Sequence, residues 1–127
     1  MEQKIPQRSE LDPQYTWATT DLYPNEEAWE ADIPKIQEVV GRLKACQGTL
    51  GQSAQGLLKF LQLEDEFTRV GEPFVSYAMY LRDQDTRNPQ AQKMSGQMMN
   101  LLIQAEEATA FATPEILDIS DETMERF

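Results

Sequence analysis

The sequence predicts an all-α fold, an antiparallel helical bundle of three to four helices with an extended aromatic arm at the amino terminus. Three observations support this prediction. Apolar residues recur at helical steps of three and four, no segment alternates as a strand would, and good N-cap residues stand before the apolar stripes. We divide the chain into an arm over residues 1–24 and a helical domain over residues 25–127.

The arm carries Pro6, Pro13 and Pro24 and has no periodic apolar pattern. Proline disfavours regular helix, so we interpret this segment as extended. Its last part is unusually rich in large side chains. We expect three of them to hold the arm against the helices, since joint exposure would be unfavourable: Trp17, Leu22 and Tyr23.

The first helix is predicted to begin after Asn25, a preferred N-cap, because two glutamates follow at the positive end of the helix. Its apolar stripe has steps of four, three, four and three: Trp29, Ile33, Ile36, Val40 and Leu43. Pro34 should kink or interrupt this helix. Gly48 and Gly51 mark its end and a turn.

The second helix is predicted to begin after Ser53, with an apolar face made of Leu57, Phe60, Leu61 and Phe67. The sequence Gly71-Glu72-Pro73 breaks the pattern, which resumes at once with Phe74, Tyr77, Ala78 and Leu81. Either one kinked helix or two helices would fit, and we favour the kinked helix.

A further helix is predicted after Asn88-Pro89, a cap followed by a first-turn proline. Its stripe extends to about residue 112 and consists of Met94, Met98, Leu101, Leu102, Ala105, Ala108 and Ala112. Ser120 then caps a last helix of barely two turns, which is marginal alone. We therefore interpret the end of the sequence at Phe127 as a domain cut.

The charge balance limits the partners of the chain. It has 22 acidic and 11 basic residues, for a net charge of −11. This argues against sequence-independent binding of nucleic acid and against docking on anionic membranes, both of which need Lys and Arg. The charge either serves solubility or attracts basic peptides or a basic partner.

Compartment is indicated by three absences in the sequence. Cys46 is the single cysteine, so no intrachain disulfide can form. The start of the chain lacks the apolar run of a signal peptide, and no window approaches the roughly 20 apolar residues of a membrane span. We predict a soluble protein in a reducing compartment, most simply the cytoplasm.

Catalytic chemistry is restricted by the absence of histidine. This excludes the H-E-x-x-H zinc motif, Glu-x-x-His di-iron sites, and Ser-His-Asp or Cys-His nucleophiles. The acid runs Glu64-Asp65-Glu66 and Glu106-Glu107 could act as acid and base only if one group were buried with a raised pKa. Their ordinary place is a solvated helix face. We therefore predict no catalytic and no metal-binding residue, and leave any substrate-binding residue unknown.

Three other groups have a structural and a functional interpretation. Cys46 near a helix carboxyl end is expected to be an inert, partly buried thiol, because that end disfavours thiolate. The methionines Met79, Met94, Met98 and Met99 could form an adaptable peptide surface, but at this spacing core filling is more usual. Tyr77 is expected to pack in the core and Tyr80 to lie on the surface.

Several short segments follow one another in a recognisable order and spacing along the chain. They are Arg8-Ser9-Glu10, Tyr15-Thr16-Trp17, Asp21-Leu22-Tyr23, Trp29, Leu57-Leu58, Tyr77-Ala78, Asp83-Gln84-Asp85-Thr86, Asn88-Pro89, Phe111 and Pro114-Glu115-Ile116-Leu117. Together they resemble the amino-terminal region of oligoendopeptidase F, a zinc metallopeptidase family related to the thimet oligopeptidases. The similarity extends over essentially the whole chain, although Ala18-Thr19 and Pro73 depart from the expected pattern.

The resemblance implies a large, mostly helical zinc endopeptidase that cleaves short peptides, with H-E-x-x-H and a downstream Glu in a carboxyl-terminal catalytic region. It implies that the present helices form part of the wall and cap of a substrate channel. No catalytic residue of the family maps onto this chain. The chain itself would then have no cofactor and no activity, and its partner would be the catalytic region of the same polypeptide.

Two further expectations concern association. The alternative to an enzyme domain is a free-standing acidic helical protein-interaction module. In addition, helix faces that are covered in a larger enzyme would be exposed in this chain, and such apolar patches promote self-association.

Overall fold

The structure is a computed structural model that describes residues 4–127, and these residues contain helices and no strand. The all-α prediction is confirmed. Three short 3-10 turns come first, at Arg8–Glu10, Pro13–Tyr15 and Thr19–Asp21. The α-helices follow in the order α1 Glu26–Glu30, α2 Ile33–Lys44, α3 Ala54–Gln84, α4 Pro89–Thr109, α5 Ala112–Leu117 and α6 Asp121–Arg126.

The body of the molecule is a bundle in which α2, α3 and α4 all pack against one another. The four-residue connection between α3 and α4 makes these two long helices antiparallel neighbours. The turn between α2 and α3 contains Gly48 at a φ of 82°, a left-handed conformation that glycine adopts without strain.

The predicted N-caps are confirmed by their hydrogen bonds. The Asn25 side chain accepts from the Ala28 amide at 2.8 Å, and Ser53 Oγ accepts from the Gly56 amide at 3.0 Å. Asn88 Oδ1 accepts from two amides at the start of α4, and Ser120 Oγ accepts from the Thr123 amide at 3.2 Å. Each bond satisfies an amide that has no partner within its own helix.

The two prolines that were expected to disturb helices have different outcomes. Pro34 lies in the first turn of α2, just after the break between α1 and α2, where a missing amide hydrogen costs nothing. Pro73 instead lies inside α3, which runs without a break from Ala54 to Gln84 and has buried residues on both sides of the proline. The prediction that one helix continues through Pro73 is confirmed, and the kink there stays a prediction.

The core consists of two adjoining clusters of buried residues. One joins the arm, α1, α2, α3 and α4, and comprises Tyr23, Trp29, Ile36, Phe74, Tyr77, Ala78, Met94, Met98 and Leu101. The other comprises Val39, Leu43, Cys46, Leu50, Phe60, Leu63 and Ala112. Fully burying a large apolar side chain stabilises the fold by about 1.5–3 kcal/mol, so both clusters are substantial.

The described part of the arm, residues 4–24, contains three 3-10 turns, so it is less extended than the sequence indicates. The local reason is visible at Asp12, which accepts a hydrogen bond from the Gln14 amide and precedes Pro13 at the first position of its turn. Residues 1–3 of the predicted arm lie outside the described residues. The division into an arm and a helical domain stays a prediction.

The side chains that were expected to hold the arm do so unequally. Tyr23 is buried and Leu22 is half-buried, whereas Trp17 is 53% exposed. Trp17 nevertheless packs edge-on against Tyr80 of α3, with ring centroids 5.3 Å apart. The Arg8 guanidinium donates a 2.6 Å hydrogen bond to the Trp17 carbonyl oxygen, which links the first turn of the arm to its aromatic end.

Candidate functional site

One continuous groove runs along α3 and α4 on the surface of the bundle. It consists of two adjoining cavities of about 510 and 290 Å³, which share Phe67, Thr68 and Leu102 in their walls. We call this feature the α3/α4 groove. Its smaller end is almost wholly apolar and also contains Gly71 and Val75.

The larger end of the α3/α4 groove is acidic. Glu64 and Asp65 from α3 and Glu106 from α4 line it, and Glu72 lines the apolar end. The structure therefore brings together acids from both runs in the sequence. The groove does not include Glu66, whose carboxylate accepts a 2.8 Å hydrogen bond from Arg42.

These groove carboxylates do not meet the requirement for acid–base catalysis. Glu64, Asp65, Glu72 and Glu106 are all exposed. The sequence argument required one acid of these runs to be buried away from water, and none of the four is. What the arrangement can do is attract positive charge to a partly apolar surface.

The remaining candidate groups are divided between the core and the surface. Cys46 is 4% exposed, and its Sγ lies 3.5 Å from the Arg42 carbonyl oxygen. Met94 and Met98 fill the core as expected, whereas Met79 and Met99 are exposed, so core filling holds for two of the four methionines. Tyr77 is buried and Tyr80 is exposed, as expected.

A polar network that sequence reasoning missed connects the arm to α2. The Tyr23 hydroxyl donates a 2.6 Å hydrogen bond to Asp32 Oδ2, and Lys35 Nζ donates at 2.8 Å to Asp32 Oδ1. Burial, and then the bond to Asp32 and its negative charge, raise the pKa of Tyr23 well above its usual value. The one sequence signal was an acid followed three residues later by a lysine.

Asp32 shows the opposite shift. Burial opposes its ionisation, but the hydrogen bonds from Lys35 and Tyr23 outweigh burial and lower the pKa of Asp32 below its ordinary value of 3.8. The two shifts share one cause, because the phenol donates to the carboxylate in the folded chain. The network therefore links the end of the arm to the start of α2.

A second apolar cleft lies between the arm and α3. It has a volume of about 520 Å³ and is lined by Trp17, Ala18, Thr19, Asp21, Leu22 and Tyr80. A more polar cleft of about 580 Å³ lies between the first turns of the arm and the α3–α4 connection.

Among residues 4–127, no three ligand-type side chains are grouped so that they could hold a metal ion. In the same part of the chain, no helix has both the length and the apolar character needed to span a bilayer.

Comparison with known proteins gives consistent matches. The chain is 34% identical over 125 residues to the oligopeptidase PepF of Bacillus subtilis (strain 168), covering 98% of this chain and 18% of that protein. It is 28% identical over 120 residues to the group B oligopeptidase PepB of Streptococcus agalactiae, covering 94% and 20% respectively.

A plasmid-encoded oligoendopeptidase F of Lactococcus lactis subsp. cremoris is 29% identical over 121 residues, again with 94% and 20% coverage. The chain thus spans about a fifth of the length of these relatives, at their amino-terminal end. No family model matches the chain, and no solved structure matches it.

Proposed function

We propose that this chain, a homologue of the oligoendopeptidase F proteins over almost its whole length, acts as the non-catalytic amino-terminal helical region of a zinc-dependent peptidase that cleaves short peptides. The homology confirms the resemblance described from the sequence. The observation that carries the proposal is the match to the amino-terminal fifth of several peptidases by a chain without histidine.

The described residues do not fit a zinc site, because they offer no cluster of three ligand-type side chains. We therefore assign zinc and the peptide-cleaving chemistry to a carboxyl-terminal region of a longer polypeptide. Short peptides would be substrates of that whole protein. We further propose a cytoplasmic location, which the single, buried, unpaired Cys46 supports.

Within such an enzyme, we propose that the bundle forms part of the wall and cap of the substrate channel. The two long helices α3 and α4 are antiparallel, and buried apolar residues hold α3 in the bundle on both sides of Pro73. Such a helical wall would restrict access to a channel by its shape, without contributing reacting groups. Folded proteins would then be excluded and short flexible peptides admitted.

The proposal is tested by comparing the purified chain with a polypeptide extended along the same gene, using a quenched fluorescent peptide of about ten residues as substrate. We expect no cleavage by the chain and chelator-sensitive cleavage by the extended polypeptide. Trp29→Ala, purified in parallel, controls for contaminating proteases because it should weaken the fold on which any activity of the chain itself would depend. Cleavage by the chain that this variant lacks would overturn the assignment.

A second candidate is a free-standing acidic helical interaction module, which the acidic end of the α3/α4 groove favours. The reading frame after Phe127 separates the two candidates. H-E-x-x-H with a downstream Glu several hundred residues later would support the peptidase. A stop codon soon after Phe127 would support the module.

A further inference from the structure

We propose that the α3/α4 groove seats a helix from the polypeptide that follows this region in the longer relatives, and that this helix has an apolar face flanked by Lys or Arg. The source of the helix rests on the proposed function. Its chemistry rests on the shape, the glycine content and the charge of the groove.

Shape is the first argument. The apolar end of the groove is open to solvent between Phe67, Val75 and Leu102, which are all only partly buried. An apolar helix face would cover these residues and remove their apolar surface from water, which favours docking.

Gly71 is the second argument. It is buried within α3, yet no side chain and no other element of the described residues would lie within 4 Å of a Cβ at this position. Glycine inside a helix is destabilising relative to alanine. By contrast, a Cβ on Gly56 would lie 2.8 Å from the Thr49 carbonyl oxygen. The space at Gly71 therefore suits close approach by an element outside this chain.

Charge is the third argument and selects the chemistry of the partner. Glu64, Asp65, Glu72 and Glu106 line the groove, and no Lys or Arg does. None of these four carboxylates forms an ion pair with another described residue. A second copy of a chain with a net charge of −11 would bring like charges together, so a basic flank is favoured over self-pairing.

The length of the relatives is the fourth argument. The chain covers only 18–20% of the proteins that it matches, so about four fifths of such a polypeptide lies outside the structure. That remainder is available to supply a helix at high effective concentration, because it is covalently linked.

The first test uses two synthetic helical peptides of about 20 residues with the same Leu/Ala face, one flanked by Lys and the other by Glu. Binding is measured by fluorescence anisotropy, and its location by NMR shifts of backbone amides. We expect the Lys peptide to bind at least about tenfold more tightly than the Glu peptide, with shifts grouped at residues 64–75 and 101–106.

Matched variants separate groove binding from general attraction to an acidic protein. Gly71→Met fills the groove and should weaken the Lys peptide about tenfold, whereas Gly96→Met, at an exposed glycine of α4, should not. Glu64→Gln with Glu106→Gln should weaken binding more than Glu38→Gln with Glu122→Gln. The proposal would be overturned if Gly71→Met and Gly96→Met weakened peptide binding equally, or if the two double Glu→Gln variants did. It would also be overturned if the NMR shifts were scattered over the chain instead of grouped at the groove.

The second test examines the extended polypeptide itself. Thr68→Cys in a Cys46→Ser background places one thiol in the groove, and its maleimide labelling should be at least about tenfold slower in the extended polypeptide than in the chain. Equal rates would overturn the proposal. Slow labelling in an extended polypeptide without peptidase activity would support the groove proposal while the peptidase proposal fails, so the two failures are distinguishable.

Discussion

The indole of Trp29 lies stacked on the ring of Phe74, with centroids 4.3 Å apart and planes 6° from parallel. The Trp29 Nε1 also donates a 2.8 Å hydrogen bond to the Phe74 carbonyl oxygen. Trp29 belongs to α1, and Phe74 directly follows Pro73 inside α3. One side chain therefore fixes the short first helix to the long helix at the point where proline removes a backbone donor.

We expect Trp29→Ala to destabilise the chain by about 3–5 kcal/mol, because it leaves a large cavity in the core. Trp29→Phe keeps an aromatic ring but loses the hydrogen bond, and we expect a cost of about 1–3 kcal/mol. The measurement is urea unfolding followed by far-ultraviolet circular dichroism. Trp17→Phe, at a half-exposed tryptophan, is the control and should change stability by less than about 0.5 kcal/mol. Equal costs for Trp29→Phe and Trp17→Phe would contradict this expectation.

The bond between Tyr23 and Asp32 predicts a stability change in alkali. The pKa of Tyr23 is raised in the folded chain, so its contribution is complete below the ordinary tyrosine pKa of 10.0 and is lost as pH rises through the folded value. We expect the stability advantage of the chain over Tyr23→Phe to be constant between about pH 6 and 9 and to shrink above pH 10. Denaturant unfolding at a series of pH values measures it.

The control for this pH series is Tyr80→Phe, since Tyr80 is exposed and makes no hydrogen bond through its hydroxyl to any described residue. The difference in free energy of unfolding between the chain and Tyr80→Phe should not shrink above pH 10, unlike the difference for Tyr23→Phe. At the acid end, the lowered pKa of Asp32 gives stability that is present above its ordinary value of 3.8 and lost below it. The prediction for alkali would be refuted if the difference in free energy of unfolding between the chain and Tyr23→Phe stayed constant through pH 11.

The sequence alone was sufficient for features that depend on neighbours along the chain. Asn25, Ser53, Asn88 and Ser120 cap helices as predicted, since a cap hydrogen bond reaches only two or three residues. The apolar stripes likewise predict most of the buried faces, but Leu61, which was assigned to the apolar face of the second helix, is 46% exposed. The continuity of α3 through Pro73 was harder to predict from the sequence, because it depends on packing on both sides of the proline.

Features that depend on how elements meet were not predictable. Tyr23 and Asp32 come together only because the arm turns back on α2, which no local pattern encodes. Glu64 and Glu106 are 42 residues apart, and they line one groove because of the rotations of α3 and α4 about their axes. A hydrophobic stripe defines such a rotation only to within a broad sector, so the position of a groove beside it needs the structure.

Self-association should depend on salt. Exposed Leu58 and Leu61 on α3, and Met99 and Ile103 on α4, supply apolar surface, whereas the net charge of −11 opposes contact between copies. The Debye length falls from about 10 Å at 0.1 M salt to about 3 Å at 1 M, so repulsion weakens. We therefore expect sedimentation velocity at high protein concentration to show more dimer at 1 M NaCl.

Leu61→Gln with Ile103→Gln should reduce this dimer, because both side chains are nearly half exposed and add little to the core. Lys59→Gln with Asn100→Gln changes neighbouring exposed positions without removing apolar surface, and it should leave the dimer unchanged. A strictly monomeric profile at every salt and protein concentration would contradict the expectation.

Three of the helical glycines, Gly56, Gly71 and Gly96, predict opposite effects of alanine on the stability of the chain. At Gly71 and Gly96 a Cβ would meet open space, so we expect Gly71→Ala and Gly96→Ala each to stabilise the chain by about 0.5–1 kcal/mol in urea unfolding. At Gly56 a Cβ would lie 2.8 Å from the Thr49 carbonyl oxygen, so Gly56→Ala should destabilise it. Loss of stability in Gly71→Ala would mean that the chain's own packing requires this glycine, and the space in the groove would then need no outside partner to explain it.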